Sequence, residues 1–383
     1  MTQVPPTATV PQILNQCITY QSFFNSKEKI AEHLFAVFSE FGYTIRFLIN
    51  NLTEFYSYLC TQIKQFNNNL RNMAKIALGT WAWGTGAFGG DTVFGSKTDV
   101  ENLKPVFDAA MKAGLSLWDT ATAYGMGESE KILGQLAMAY NRSDVQISTK
   151  FTPQIAEIFE NSVEKMANAS IERMGCDYID IYWIHNPMDV ERWTPGLIPL
   201  LQSGKVKRVG VSNHNIKEIR RANEILGEAG FKVSAVQNHF SLLYRSSEKG
   251  GVLDYCKENG IEFWSYMVLE QGALSGKYNK ENPLPEESDR GKKYNPVLPQ
   301  LEALTNEMKS IGERYGASCS QVGIAWAIAK GTMPIIGATK ERHVIEAAEA
   351  AKIQLTAEEV TRLEQLADAT GIDTRGNWEH SME

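Results

Sequence analysis

The sequence lacks most of the features that mark specialised classes of protein. Its five cysteines, Cys17, Cys60, Cys176, Cys256 and Cys319, are odd in number and far apart, and no CxxC pair occurs. That excludes a disulfide framework and a cysteine-rich zinc site, and it suits a reduced, intracellular protein. The six histidines show no HExxH-like pairing, so no metal site is expected. There is no excess of positive charge: the formal net charge is −7, which gives no reason to expect a nucleic-acid partner. There is no long apolar run either. The best stretch near the N-terminus, 47–63, is broken by Asn50, Asn51 and Glu54 and is too short and polar to span a bilayer. The N-terminus has no basic region followed by an apolar core, and its first Arg is Arg46, so neither a secretory signal nor a mitochondrial transit peptide is expected. A cytoplasmic protein remains.

What is present is ordinary globular material, 383 residues with 43% apolar and 22% charged side chains, enough for a large core. Residues 1–25, with Pro5, Pro6 and Pro11 among polar neighbours, are expected to be a disordered lead. Ser26 is a natural N-cap for a helix over 27–40, and the stripe Ile45, Leu48, Ile49, Leu52, Phe55, Tyr56, Leu59, Ile63 and Phe66 predicts a second helix over 44–66. Residues 26–72 are therefore expected to form a helical hairpin appended to the main domain, as a fusion or a partner-binding arm through which the chain could oligomerise.

From Lys75 the texture changes. Short β-rich runs at 76–78, 115–118, 145–149, 179–184, 209–211, 235–238, 262–266 and 334–336 alternate with helical runs near 99–113, 128–139, 157–174, 191–203, 215–228, 250–259, 319–330 and 341–352. Eight such units predict an α/β fold, a (β/α)8 TIM barrel over 73–383 carrying the appended N-terminal helical segment. Extra helices are expected over 298–315 and 356–368, and a polar tail over 371–383. Gly84-Thr85-Gly86-Ala87-Phe88-Gly89 matches GxGxxG, but a dinucleotide fingerprint opens directly into a helix. The next residues, 90–95, are expected to be more loop, so the motif is set aside as a mobile first loop at the barrel mouth.

In such barrels the C-terminal strand ends share one mouth. Asp119 follows the second strand, Lys150 the third and His185 the fourth, with Tyr124 on the loop after Asp119. Each alone has a bland explanation as a surface or capping residue. Together at neighbouring strand ends they describe proton transfer. A free phenol titrates near 10, too high for exchange at neutral pH, and a lysine cation beside it favours the phenolate. Asp119 would hold Lys150 charged, a neutral His185 would donate to a carbonyl oxygen, and Tyr124 would protonate that oxygen as hydride arrives. No Ser-His nucleophile pair and no redox centre are evident, so a hydride donor must come from outside. The aromatic residues Trp81, Phe88, Phe94 and Trp183 are expected to line the substrate pocket.

These residues stand in motifs that resemble the aldo/keto reductase family from about Met73 to Glu383. The motifs are Trp118-Asp119-Thr120-Ala121 with Tyr124-Gly125, Thr149-Lys150, Ile184-His185, Gly210-Val211-Ser212-Asn213, Gln237, the run Gln271–Tyr278, and Gly337-Ala338-Thr339. The resemblance implies an Asp119, Tyr124, Lys150, His185 tetrad that reduces small carbonyl compounds with NADP(H). It also implies that Ser212, Asn213 and Gln237 hold the nicotinamide carboxamide and that Trp264 stacks on its ring. Ser265, Leu274, Gly276 and Lys277 would clasp the pyrophosphate. Gly337, Thr339, Lys340, Arg342, His343 and Glu346 would hold the adenosine end, with Lys340 and Arg342 on a 2′-phosphate. His343 stands where many relatives carry arginine and Ala347 where many carry asparagine, which leaves NAD(H) open. Potassium-channel β-subunits share the pattern, so a redox-sensing binding subunit is the alternative. A short-chain dehydrogenase is excluded because no tyrosine has a lysine four residues later.

Overall fold

The structure, a computed structural model, describes residues 76–160 and 162–382. The chain divides into two units, Met1–Met73 and Ala74–Glu383. The expected lead and helical hairpin lie outside the described residues. The second unit holds eight strands: β1 (Ala77–Gly79), β2 (Leu117–Asp119), β3 (Gln146–Phe151), β4 (Ile179–Ile184), β5 (Val206–Ser212), β6 (Ala235–His239), β7 (Glu262–Tyr266) and β8 (Met333–Gly337). They run parallel in sequence order, and β8 pairs with β1 to close the barrel. The expected (β/α)8 architecture is therefore the observed one. Among the described residues no helix is long and apolar enough to cross a membrane.

Strand edges differ from expectation where pairing, not composition, decides them. β5 begins at Val206 because Val206 and Arg208 pair with Ile179 and Ile181 of β4, although Lys207 and Arg208 are charged. The helical run near 157–174 is two helices, Pro153–Ile158 and Val163–Met174. The second starts afresh where the Ser162 hydroxyl accepts from the Lys165 amide. The run near 191–203 is likewise broken at Thr194–Gly196, around Pro195. One expectation is overturned: after the glycine-rich run, Gly90–Phe94 forms a short helix rather than loop. Gly90 is required there, since a Cβ would lie 2.2 Å from the Ala82 carbonyl oxygen. The motif still makes no dinucleotide fold, because β1 belongs to a closed barrel.

The core has two layers. Large apolar side chains fill the space between strands and outer helices. Inside the barrel, Ala77, Leu117, Ile181, Trp183, Ala235 and Trp264 form a plug. Trp183 meets Trp264 edge to face at 5.0 Å. Gly210 makes room for this pair: a Cβ would lie 2.3 Å from the Trp183 ring. Side chains alternate along a strand, so the position two residues past each plug residue faces inward one layer nearer the mouth. Leu117 is followed by Asp119, Trp183 by His185, Ala235 by Gln237, and Trp264 by Tyr266. This register puts polar residues above an apolar floor. After the last helix, Ala357–Ala369, the chain returns to the same mouth.

Candidate active site

Lys150 and Asp119 are both buried, 0% and 2% exposed, so their charges survive only as a pair. The ammonium has three protons and three acceptors. It donates to Asp119 Oδ2 at 2.5 Å, the Thr120 carbonyl at 2.7 Å and the Tyr124 hydroxyl at 3.3 Å. Asp119 Oδ1 accepts from Ser148 Oγ at 2.7 Å and Gln237 Nε2 at 3.1 Å. Ser148 Oγ in turn accepts from Trp183 Nε1 at 2.6 Å. The carboxylate is thus fixed from below by the plug and from the side by β6, and it aims the ammonium at the phenol.

Burial opposes charge on Lys150, but Asp119, and after it the Tyr124 phenol, outweigh burial and hold its pKa above the usual lysine value. Tyr124 departs from expectation. Burial raises its pKa, Lys150 lowers it, and Asp119 raises it again, so the net direction is upward from 10. The carboxylate that keeps the lysine charged offsets part of its pull on the phenol. His185 lies 6.2 Å from Tyr124, ring centre to ring centre. Burial first, then the Lys150 cation, drives its pKa well below the usual range, so the ring is neutral. Its Nδ1 pairs with the Thr152 hydroxyl at 3.1 Å. With Nδ1 accepting from that hydroxyl, Nε2–H is free to donate into the cavity.

These groups floor a cavity of about 1410 Å³. A pocket for one drug-sized ligand runs to roughly 300–1,000 Å³, so this one has room for two reactants. One end is aromatic: Trp81 stacks on Tyr124 at 5.7 Å and meets Phe94 at 5.4 Å and Trp378 at 6.0 Å edge to face. Another part of the wall is cationic. Lys277, Lys340 and Arg342 line it with no carboxylate partner among the described residues. Burial, then Arg342, Lys340 and Lys277, push His343 down to about 4. The helix Glu341–Ala350 begins here without a side-chain cap, so its N-terminal amides add to the positive field. Arg290, also on the wall, has a buried Nε with no partner among the described residues. Unpaired cations around a helix start suit a polyanionic ligand.

The cavity wall brings together Asp119, Tyr124, His185, Ser212, Asn213, Gln237, Lys277, Gly337, Thr339, Lys340, Arg342, His343 and Glu346, along with Trp81, Phe88 and Phe94. Lys150 reaches it through Tyr124. Other expected residues do not reach it. Trp183 and Trp264 are 0% exposed in the plug, one alternation step below the mouth, so neither can wall the pocket or stack on a ligand. Ser265 is buried on the outer side of β7, its hydroxyl paired with Thr332 at 2.9 Å. Leu274 is also fully buried, and its amide is taken by the Leu269 carbonyl at 3.2 Å. Gly276 is absent from the wall as well; Ser275 and Lys277 on either side contribute instead.

The inward residue at the end of β7 is Tyr266, which the sequence motifs do not single out. Period-two alternation from Trp264 is the signal that could have found it. Its hydroxyl lies 2.6 Å from Asn213 Oδ1 and also contacts the Glu379 carboxylate. One phenolic proton cannot serve both acceptors, and the carboxylate is the stronger. Asn213 Oδ1 is therefore left to take a donor from a ligand. Asn213 itself sits at φ 63°, a left-handed conformation that asparagine tolerates better than most residues. Arg290 and Trp378, which no motif marks, and Gln271 and Tyr278, which stand in a motif without an assigned role, also line the wall.

Comparison with known proteins agrees with this geometry. The family model described as "Aldo/keto reductase family" matches residues 75–368. The chloroplastic pyridoxal reductase of Arabidopsis thaliana is 30% identical over 312 residues, 77% of this chain and 84% of that protein. The Schizosaccharomyces pombe aldo-keto reductase yakc, named with NADP(+), is 28% identical over 308 residues, 75% of this chain and 88% of that protein. Among solved structures, the glycerol dehydrogenase from Gluconobacter oxydans superposes with a TM-score of 0.64 at 24% identity, covering 79% of this chain and 94% of that one. An aldo-keto reductase from Klebsiella pneumoniae in complex with NADPH gives 0.60 at 23% identity, covering 76% and 90%. The strand-end residues, the cavity they floor and the match over 75–368 agree, and the chain belongs to the aldo/keto reductase family.

Proposed function

We propose that the protein reduces the carbonyl of a small aldehyde or ketone, with Tyr124 as general acid and NADPH as the hydride source. The observation that carries this reading is the relay from Asp119 through Lys150 to the Tyr124 hydroxyl, ending beside a neutral His185 on the cavity floor. The wall fits NADP(H). Ser212, Asn213 and Gln237 offer amide and hydroxyl partners for a carboxamide, and Tyr266 offers a flat face for a ring. Lys277 and Arg290 suit a diphosphate, and Lys340 and Arg342 a further phosphate. NADPH, when bound, supplies hydride to the carbonyl carbon.

The protein does the rest. His185 Nε2–H orients and polarises the carbonyl oxygen. Tyr124 gives that oxygen its proton; a phenol with a raised pKa keeps this proton at neutral pH until charge develops beside it. Lys150 then faces the phenolate, and Asp119, which touches no reactant, keeps Lys150 charged and aimed. The aromatic end formed by Trp81, Phe94 and Trp378 favours flat substrates over aliphatic ones. Pyridoxal, the aldehyde named for the Arabidopsis relative, is such a compound.

The test is NADPH oxidation with a panel of pyridoxal, simple aromatic aldehydes, short aliphatic aldehydes, quinones and sugars. Aromatic aldehydes should give the highest kcat/KM. Tyr124→Phe should lower kcat by about 10²–10⁴-fold while leaving NADPH affinity unchanged. Full turnover in that variant would show that another group delivers the proton.

A further inference from the structure

The second buried ionic cluster at the barrel mouth has no part in the proton relay. His239, the last residue of β6, places Nε2 2.9 Å from Glu270 and Nδ1 3.0 Å from Glu379. All three side chains are essentially unexposed. Two carboxylates accept from the two ring nitrogens, which requires an imidazolium. Burial alone would discharge the ring; Glu270 and Glu379 outweigh it and push its pKa up to about 9. Glu270, on the loop after β7, also takes hydrogen bonds from Tyr294 at 2.6 Å, Thr374 at 2.9 Å and Ser241.

Glu379 belongs to the C-terminal segment, whose described residues form neither helix nor strand past Ala369. The segment is nevertheless fastened at several points. Glu379 closes a turn with Gly376, accepting from its amide at 2.7 Å. Met382 is 3% exposed, and its amide donates to Ser246 Oγ at 3.3 Å. His380 Nε2 lies 3.1 Å from Glu218. The Glu379 carboxylate contacts the Tyr266 hydroxyl, and Trp378 Nε1 donates to that same oxygen at 3.2 Å. The His239 and Tyr266 rings are stacked at 5.5 Å. Thus the one inward aromatic at the end of β7 is held from three sides by groups that lie outside the proton relay.

We propose that Glu379 is a positioning residue: anchored by His239, it fixes the Tyr266 ring as the platform of the cavity and docks the C-terminal segment over the mouth. This rests on the reading of the cavity as a nicotinamide-dependent carbonyl site. Misplacing a reacting group by about 1 Å can cost 10²-fold in rate, so a loosened platform lowers hydride transfer without touching Tyr124, Lys150 or His185.

The test uses the full chain and four proteins: wild type, Glu379→Gln, Tyr266→Phe and the double variant. Two readouts are taken. Without any ligand, carboxypeptidase digestion and hydrogen exchange at the Met382 amide report docking of the segment; Glu379→Gln should release it at least tenfold faster. With NADPH, cofactor binding by fluorescence and single-turnover hydride transfer report the platform. Each single variant should slow hydride transfer roughly tenfold, and the double variant should be no slower than either, because both break one link. Additive losses, or a Glu379→Gln protein with native transfer rate and native tail protection, would overturn the proposal. Should wild type bind neither NADPH nor NADH, the functional reading fails and the platform role with it, while the ligand-free arm separately decides whether Glu379 latches the tail. If Glu379→Gln folds poorly, Tyr266→Phe alone decides: it must loosen the tail and slow transfer with Tm unchanged.

Discussion

Two buried ionic clusters sit at the same mouth and end on different kinds of group. In the first, Asp119 and Lys150 come from neighbouring strands and balance to zero charge, and the third ammonium proton points at Tyr124, which faces the cavity. In the second, His239 lies between two carboxylates, and its partner Glu379 is 140 residues away on the tail. The first ends at a hydroxyl on the cavity wall. The second closes on itself, and its outward contact is to the Tyr266 hydroxyl, which makes no hydrogen bond to Asp119, Lys150 or Tyr124 among the described residues. Burial and charge alone do not distinguish a catalytic cluster from a positioning one. The distinction is whether the last hydrogen bond leaves a hydroxyl proton open to the cavity, as at Tyr124, or ties that proton to a carboxylate, as at Tyr266.

The comparison breaks most easily at the pair itself. Lys150→Met leaves Asp119 charged, buried and short of its main partner, and should cost about 3–5 kcal/mol of stability together with all turnover. Adding Asp119→Asn removes the stranded charge. The double variant should regain most of the stability, measured by denaturant unfolding, and none of the activity. If Lys150→Met unfolded no more readily than wild type, the ammonium would not be the counter-ion described, and the relay would lose its anchor.

How much of this is legible in the chain alone depends on sequence distance. Asp119 and His185 each close a short apolar run and Lys150 stands near the end of a third strand, so counting strands suffices to put them at one mouth. The barrel itself is legible because eight apolar runs alternate with amphipathic helices. Trp183 and Trp264 are misplaced by one alternation step: pattern shows that a strand residue faces inward but not at which layer, and the layer is set by pairing such as Gln237 with Trp264. Tyr266 is lost through the same step. The His239, Glu270 and Glu379 cluster leaves no local signal at all. Each looks like an ordinary loop or strand-end polar residue, and only the return of the tail to the barrel mouth brings Glu379 to His239. The cations of the wall are half legible: Lys340 and Arg342 stand out at a helix start, while Arg290, on an extra helix Asp289–Tyr294 after β7, does not.

The second cluster can be sharpened by pH. His239 titrates at about 9 in the folded chain against 6.5 as a free group. A raised pKa on a histidine gives stability that is fully present below pH 6.5 and is lost as pH rises through 9. The amount is about 3 kcal/mol by the usual conversion. The charged and titratable groups against the ring are Glu270, Glu379, Tyr244 and Tyr266; the tyrosines, with pKa values raised by burial, enter only above 10. On the acid side, His185, His214 and His343, whose pKa values burial lowers, cost stability below pH 6.5. Unfolding midpoints should therefore peak near pH 6.5 and fall towards 9. Glu379→Gln should flatten the alkaline limb and leave the acid limb alone. An unchanged alkaline limb would mean that His239 is not the group responsible.

The smallest effect tests the layer below the mouth. Trp183 was expected in the substrate pocket, yet it is buried in the plug and touches the site only through its Nε1–H on Ser148. Trp183→Phe keeps an aromatic ring but removes that donor and part of the indole; the lost hydrogen bond should cost about 1 kcal/mol, with a further loss of packing in the plug. Ser148 still donates to Asp119, so the relay stays aimed and kcat should fall no more than a few-fold. The carbonyl KM should stay within about twofold, because no atom of Trp183 meets a ligand. Trp81→Ala, on the cavity wall against Tyr124, should by contrast raise KM for aromatic aldehydes strongly. A Trp183 variant with the larger KM shift would put its indole back among the pocket walls and would contradict the register that places Asp119, His185 and Tyr266 one step above the plug.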